Sequence, residues 1–299
     1  MEITLDGSSF DYRTCYQEEN GLRGSFCALA QEVFGLDFES WYRAGYWGDR
    51  YRLYSLVREG KVAANVSVSP MDLRCMGKEF HFLQIGTVMS APSERGRGLI
   101  HFLMARALTD WKGKCDGIYL FANQETVDFY PRFGFARVRE FRHTMSIQPQ
   151  EGARAPRRLI PELSQDKALL LRRYQKGNPY SLLQWEHNPG LLMFHCGGAL
   201  RECIYDLPDF DLTAVVTYDG NTMYCQELLG SGSGAELETV LTALAQPETE
   251  KAVLGFTPRA GGRCSVRPLS GGEGVLLAQG QVEPLLRHYQ MRFPILSHT

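Results

Sequence analysis

The feature that most narrows the fold of this chain is a change of hydrophobic period within one short stretch. Up to Ser90 the chain carries runs of alternating β-branched and aromatic residues, the period of strands. From Gly98 onward Ile100, Leu103, Met104, Ala107, Leu108 and Trp111 recur at three- and four-residue steps, the stripe of a helix lying on a sheet. Only Ala91-Pro92-Ser93-Glu94-Arg95-Gly96-Arg97 separates them. A strand, a glycine-bearing loop and a sheet-covering helix in that order require a layered α/β domain.

The surrounding pattern extends that unit. Helices are expected at residues 21–34 and 37–45, then strands at 51–58, 61–69, 71–76 and 79–90, joined by turns at Glu59-Gly60 and Gly77-Lys78. After the 98–111 helix come an apolar strand at 117–122, a helical stretch at 125–133 stopped by Gly134, and a strand pair at 135–139 and 142–147. Residues 148–161, with Pro149, Gly152, Pro156 and Pro161, read as a linker between a first domain at 1–147 and a second at 162–299. In the second domain helices are expected at 162–175 and 181–186, strands at 193–205, 212–218 and 222–229, a helix at 235–245 and a strand at 252–257. The order repeats that of the first half, including a glycine-rich loop at 230–234 between strand and helix. A degenerate internal repeat of one α/β unit is the expectation.

Composition excludes several classes of function. A chain of 299 residues suits two domains of about 150 each. Lysine plus arginine (32) nearly balance aspartate plus glutamate (34), so no basic field exists to hold nucleic acid. Uncharged runs such as residues 80–93 fall short of the ~18 apolar residues that span a bilayer, and Met1 is followed by Glu2 and Asp6, so no membrane anchor and a cytoplasmic location are expected. The eight cysteines form no CxxC pair and the seven histidines no HExxH or HxH, which argues against a disulfide framework and against a metal. Homo-oligomerisation is left open.

The loop itself suggests chemistry. Gly96 and Gly98 let the backbone turn with its N–H groups facing one concavity, the helix that follows adds free amides and a positive dipole end, and Arg95 and Arg97 supply charge, together a site for a diphosphate. A structural loop between strand and helix needs the same glycines. About 25 residues further the chain reads Asn123-Gln124-Glu125-Thr126-Val127-Asp128-Phe129-Tyr130-Pro131-Arg132-Phe133-Gly134-Phe135. With both segments in this order and spacing, residues 10–147 resemble the GNAT superfamily of acyl-CoA-dependent N-acetyltransferases, whose loop has the form R-G-x-G and whose next unit ends in N-x-x-x-x-x-(F/L)-Y-x-x-x-G-F. Ile100 departs from the glycine or alanine often found there. The aromatic segment near Tyr46 and the degenerate second unit are similar to the tandem layout of Eis-like acetyltransferases, without room for their C-terminal sterol-carrier-like domain, so the acceptor of that group does not carry over.

The resemblance implies a GNAT fold: a mixed, mostly antiparallel central sheet flanked by helices, with a second, degenerate GNAT-like domain. It implies acetyl-CoA as co-substrate. The acyl arm would lie between splayed strands at 86–90 and 117–122, bonded to backbone around Val88, Met89 and Ser90, with Arg95, Gly96, Arg97, Gly98 and Leu99 at the diphosphate and Asn123 at the pantetheine. Tyr130 would be the general acid for the leaving thiolate; a core tyrosine packed on Phe129 and Phe133 is the plain alternative, as a helix N-cap is for Asn123. Trp41, Tyr46 and Trp47 are expected to cover an amine substrate by their π faces, or else to pack a core. No general base has a diagnostic pattern; Glu79, His81 and Gln84 lie on the relevant strand, and Glu94 is expected to face solvent. The reading is transfer of an acetyl group to a primary amine of a small molecule or peptide, the alternative a non-catalytic acyl-CoA-binding or regulatory protein.

Overall fold

The computed structural model describes residues 1–149, 156–259, 263–269 and 274–298. Strands β1 (Glu2–Leu5) and β2 (Ser8–Thr14) lead into helices α1 (Asn20–Phe34) and α2 (Phe38–Arg43), the meander β3 (Arg52–Arg58), β4 (Lys61–Cys75) and β5 (Lys78–Ser90), and then α3 (Leu99–Trp111), β6 (Gly117–Ala122), β7 (Ala136–Arg137) and β8 (Phe141–Ser146). The second half runs β9 (Arg157–Arg158), α4 (Ser164–Tyr174), β10 (Leu183–Glu186), α5 (Pro189–Cys196), β11 (Ile204–Leu207), β12 (Leu212–Asp219), β13 (Thr222–Gly230), α6 (Leu237–Leu244), β14 (Lys251–Leu254), β15 (Ser265–Pro268), β16 (Val275–Gly280) and α7 (Val282–Tyr289). Of the expected 148–161 linker, residues 150–155 lie outside the described residues.

Two mixed sheets result. The first has the order β1-β2-β3-β4-β5-β6-β16-β7, with β10 also paired to β4; the second has the order β15-β8-β14-β13-β12-β11-β9. In each, one parallel contact, β5 with β6 and β13 with β14, is spanned by a helix, α3 or α6, that covers the sheet. Both sheets thus contain the same β-α-β connection. Leu99, Leu103, Met104 and Ala107 bury the α3 stripe against Val66, Val68, Ile85 and Leu120. The opposite face of the first sheet is covered by α1 and α2 at one side and by the second half of the chain at the other.

The halves exchange strands. β8 leaves the first half to pair with β14 and β15, while β16 returns from the second half to lie between β6 and β7. The expected pairing of 135–139 with 142–147 is therefore absent. After α7 the chain threads between the sheets, held by Phe141 N on Met291 O at 3.0 Å, Ile295 N on Gly255 O at 2.9 Å and Tyr119 Oη on Ser297 O at 2.9 Å.

Other expectations also fail for local reasons. Pro70 does not end a strand: β3 pairs with β4 only to Val68 and β10 begins at Asp72, so proline falls where no neighbour needs its missing N–H. Residues 125–133 form turns and a short 3₁₀ segment, Tyr130–Phe133, because Pro131 cannot donate an α-helical bond. The 181–186 helix is β10, in which Leu183 and Trp185 alternate inward. Residues 193–205 divide into α5, capped where Asn188 Oδ1 accepts Leu191 N at 3.1 Å, and β11.

Between β7 and β8, Glu140 pairs with Arg292 at 3.7 Å and accepts Phe293 N at 2.9 Å, all three buried. Glu140→Ala removes the carboxylate from this buried set and should lower stability by about 3–5 kcal/mol in chemical denaturation.

Candidate active site

The parallel ladder of β5 and β6 runs from Phe82 opposite Gly117 to Ile85 opposite Leu120 and stops. Residues 86–90 remain paired with β4 on one edge and diverge from β6 on the other. The cause is a bulge: β4 and β5 shift register between Asn65 and Ser67, and Thr87 takes φ 48, a left-handed conformation uncommon for a branched residue. Ala91 N bonds Ala63 O at 2.8 Å, so strand alternation turns the Ser90 amide, and with it the Val88 side of the bulge, toward the gap, with Met89 facing β4.

A buried polar chain holds that bulge. Asn65 Nδ2 donates to Thr87 O and to Ser67 Oγ, both at 2.9 Å, while Asn65 Oδ1 accepts Ser55 Oγ at 2.7 Å. Ser55 shares a hydrogen with Tyr16 Oη at 2.6 Å, and Tyr51 Oη donates to Thr87 Oγ1 at 2.6 Å. Burial raises the phenol pKa of both Tyr16 and Tyr51, so each stays a donor. Sequence reasoning missed these residues; the signal was Asn65, Ser67 and Ser69 at alternate positions of an otherwise apolar strand.

Beyond β5 the chain turns through Gly96 (φ 77) and Gly98 (φ 75), and α3 begins at Leu99, which is buried, with no side chain capping its first amides. Arg95 is exposed. Arg97 is engaged by Glu94, by Asp6 at 3.1 Å and by the Ser8 hydroxyl. Glu94 does not face solvent: its side chain is 13 % exposed and pairs with Arg58 of β3 at 3.2 Å as well as with Arg97 of its own loop.

Across the gap, Asn123 Oδ1 accepts Thr126 N at 2.9 Å and Thr126 Oγ1 at 2.7 Å, closing the turn after β6. Tyr130 is buried beside Phe129 and Phe135, and burial pushes its phenol up to about 12, which keeps it protonated at neutral pH. Phe133 reaches His101 of α3 at 5.0 Å between rings, tying this segment to the glycine loop's helix. The segment that begins at Asn123 thus follows β6 directly where it has parted from β5, and packs on the helix of the glycine loop.

Trp41, Tyr46 and Trp47 lie elsewhere, on the face opposite α3. Trp41 and Trp47 stack at 5.6 Å and are buried, their indole N–H groups donated to Gly190 O at 2.8 Å and Tyr51 O at 3.2 Å; Tyr46 is half-buried. Trp41 and Tyr46, with Phe38, Tyr51 and Phe194 of α5, line a cavity of only about 20 Å³ at the seam between the halves of the chain. Of the candidate bases, His81 is 66 % exposed and bonded to Asp72 at 2.8 Å, seven residues or ~23 Å along β5 from Val88. Glu79 is exposed and paired with Arg74, and Gln84 is buried in β5. Glu79 and His81 thus stand away from the gap, whereas Gln84 is one residue before the last β5–β6 pair. In the second repeat the 230–234 loop is occupied by the chain itself: Gly230 N bonds Gly177 O, Ser231 N bonds Asp211 O, and Tyr180 Oη reaches Ala235 O.

Residues 13–138 match the family model of the acetyltransferase (GNAT) domain, so the splayed gap belongs to a GNAT domain. Solved structures similar over both halves are a probable N-acyltransferase from Enterococcus faecalis V583 (16% identity, TM-score 0.59, covering 91% of this chain and 73% of that one), a GCN5-related N-acetyltransferase from Kribbella flavida (17%, 0.53, 91% and 71%) and Eis1 from Mycobacterium abscessus (16%, 0.54, 89% and 72%). At these identities the likeness is one of fold. The curated proteins contain no sequence match. Among the described residues no helix is long and apolar enough to cross a membrane, and no group of three His, Cys, Asp or Glu stands where it could hold a metal.

Asn65→Ala should leave Thr87 O and Ser55 Oγ buried without their partner, a loss of about 2–4 kcal/mol in urea unfolding.

Proposed function

We propose that the chain is an acetyl-CoA-dependent N-acetyltransferase whose first repeat, residues 1–147, carries the reaction and whose second, residues 162–299, shapes the acceptor cleft. The observation that carries this reading is the splayed β5–β6 gap, bordered by backbone donors on one edge and leading to an uncapped glycine loop and helix start. Such a gap fits an extended pantetheine arm as an added strand, with the diphosphate on the amides of residues 96–99. Arg97 would exchange part of its pairing with Glu94 and Asp6 for phosphate, and Arg95 is free to swing to it. A backbone N–H at Val88 or Ser90 would hold the oxygen of the thioester carbonyl as an amine adds to it. Tyr130, neutral over the working pH range, would give its proton to the departing thiolate. A protein that only binds acyl-CoA would release no thiol, so incubation of acetyl-CoA with kanamycin, spermidine, L-lysine and trialanine, read as free CoA above the hydrolysis blank, separates the two readings.

Calorimetry should show one acetyl-CoA site per chain, and Gly98→Asp should abolish it, since a carboxylate would stand at φ 75 where the diphosphate approaches the backbone. Normal binding by this variant would displace the loop from its assigned role.

Tyr130→Phe keeps the ring in its aromatic setting. A fall in kcat of ~10²–10⁴-fold with acetyl-CoA affinity unchanged is expected for an acid, whereas unchanged kcat and an unchanged pH profile would reject that role.

A further inference from the structure

The gap lacks a base on β5, and the residue that meets this need comes from the far end of the chain. Phe121 is the first residue of β6 beyond the last β5–β6 pair. Its side chain lies on the face opposite α3, as does that of Tyr119, whereas Leu120 and Ala122 pack toward α3. His298 stacks on Phe121 with ring centroids 3.8 Å apart and planes inclined by 24°. Its backbone is placed from two sides: His195 of α5 bonds the His298 carbonyl at 2.9 Å, and Tyr119 bonds the preceding carbonyl, of Ser297, also at 2.9 Å. His298 Nε2 is buried and meets no hydrogen-bond partner among the described residues. A buried polar nitrogen left without a partner, in a segment otherwise held by hydrogen bonds, is a group waiting for a ligand.

Resting on the acetyltransferase reading, we propose that His298 Nε2 is the base that removes the proton from the acceptor nitrogen, with His195 as the residue that positions it. The acceptor would approach on the side of β6 that carries Phe121 and His298. It would thus reach the splayed gap from the face opposite α3.

The proton balance is closed. The amine enters uncharged, having lost its ammonium proton to water, and its nitrogen lone pair forms the C–N bond to the thioester carbonyl carbon. The nitrogen is then positively charged, and His298 Nε2 accepts one of its protons. As the C–S bond breaks, the electron pair leaves with sulfur, which takes the Tyr130 proton. The proton on His298 passes through water to the Tyr130 phenolate, so amine plus thioester give amide plus thiol with no net gain or loss. Among the described residues the groups that face His298 are His195 of α5, Arg292 of its own segment and Tyr119 of β6; burial together with the charges of His195 and Arg292 holds its imidazole well below the ordinary histidine range. It is therefore neutral at pH 7, a weak base matched to the acidic N–H of the adduct rather than to a free ammonium.

The test uses the full chain with acetyl-CoA, and compares wild type, His298→Gln and His298→Ala. Heteronuclear spectra of the imidazoles should show Nε2 of His298 without a proton at pH 7 and shifting on titration with acetyl-CoA. A proton on Nε2, or no response to acetyl-CoA, would overturn the proposal. In the CoA-release assay with kanamycin, spermidine, L-lysine and trialanine, both variants should lose ~10²-fold or more in kcat with acetyl-CoA affinity and thermal stability kept, and added imidazole should restore part of the His298→Ala rate. Variants that match wild type, or whose losses in rate follow equal losses of affinity and stability, remove His298 as the base while leaving the transferase reading intact. No CoA release by wild type with any of the four amines removes both.

Discussion

The hydrogen bond from Asn65 Nδ2 to Thr87 O is the contact on which the candidate site depends. A strand in regular register would keep β5 beside β6 to its end and leave no gap. The bulge at Thr87 turns β5 away, and a left-handed threonine is costly unless its surroundings over-determine it. The Tyr16–Ser55–Asn65–Ser67 chain on one side and Tyr51 on the other do so. Each hydroxyl or amide in that chain is buried, so breaking one link leaves its neighbours without water to replace it. The same economy explains why polar residues occupy inward positions of an otherwise apolar β4.

Strand exchange gives the second repeat its role. Because β16 fills the place between β6 and β7, the first sheet is completed only when the second half has folded, and β8 makes the converse demand. The first two amides of the loop at 230–234 are taken by the Gly177 and Asp211 carbonyls, and the corresponding strand end at Gly255 is met by Ile295. The start of that loop has thus turned inward onto its own chain. What the second half offers instead is α5 and the segment after Met291, which line the face of the first sheet left open beside α2. The aromatic cluster of Phe38, Trp41 and Trp47 is best understood here as the seam between the halves, since Trp41 donates across it to Gly190.

Some of this was legible from residues alone. The period change across Ser90–Gly98 located β5, the loop and α3 to within a residue, and the RGRG and Asn123–Phe135 segments named the superfamily, because backbone geometry at a glycine loop depends on its immediate neighbours. Residues 125–133 misled because their apolar spacing is helical while Pro131 removes the bond a helix would need. Leu183–Glu186 and the strand after Cys203 misled because short apolar runs fit either period, and the partner of the first, β4, lies far off in the chain. Local sequence therefore determined the elements and the chemistry of the loop. Tertiary structure alone decided that β8 and β16 change places and that His298 lies over Phe121, because strand partnership and the approach of chain segments more than a hundred residues apart are settled by which apolar faces must be covered, and no nearby residue records that choice.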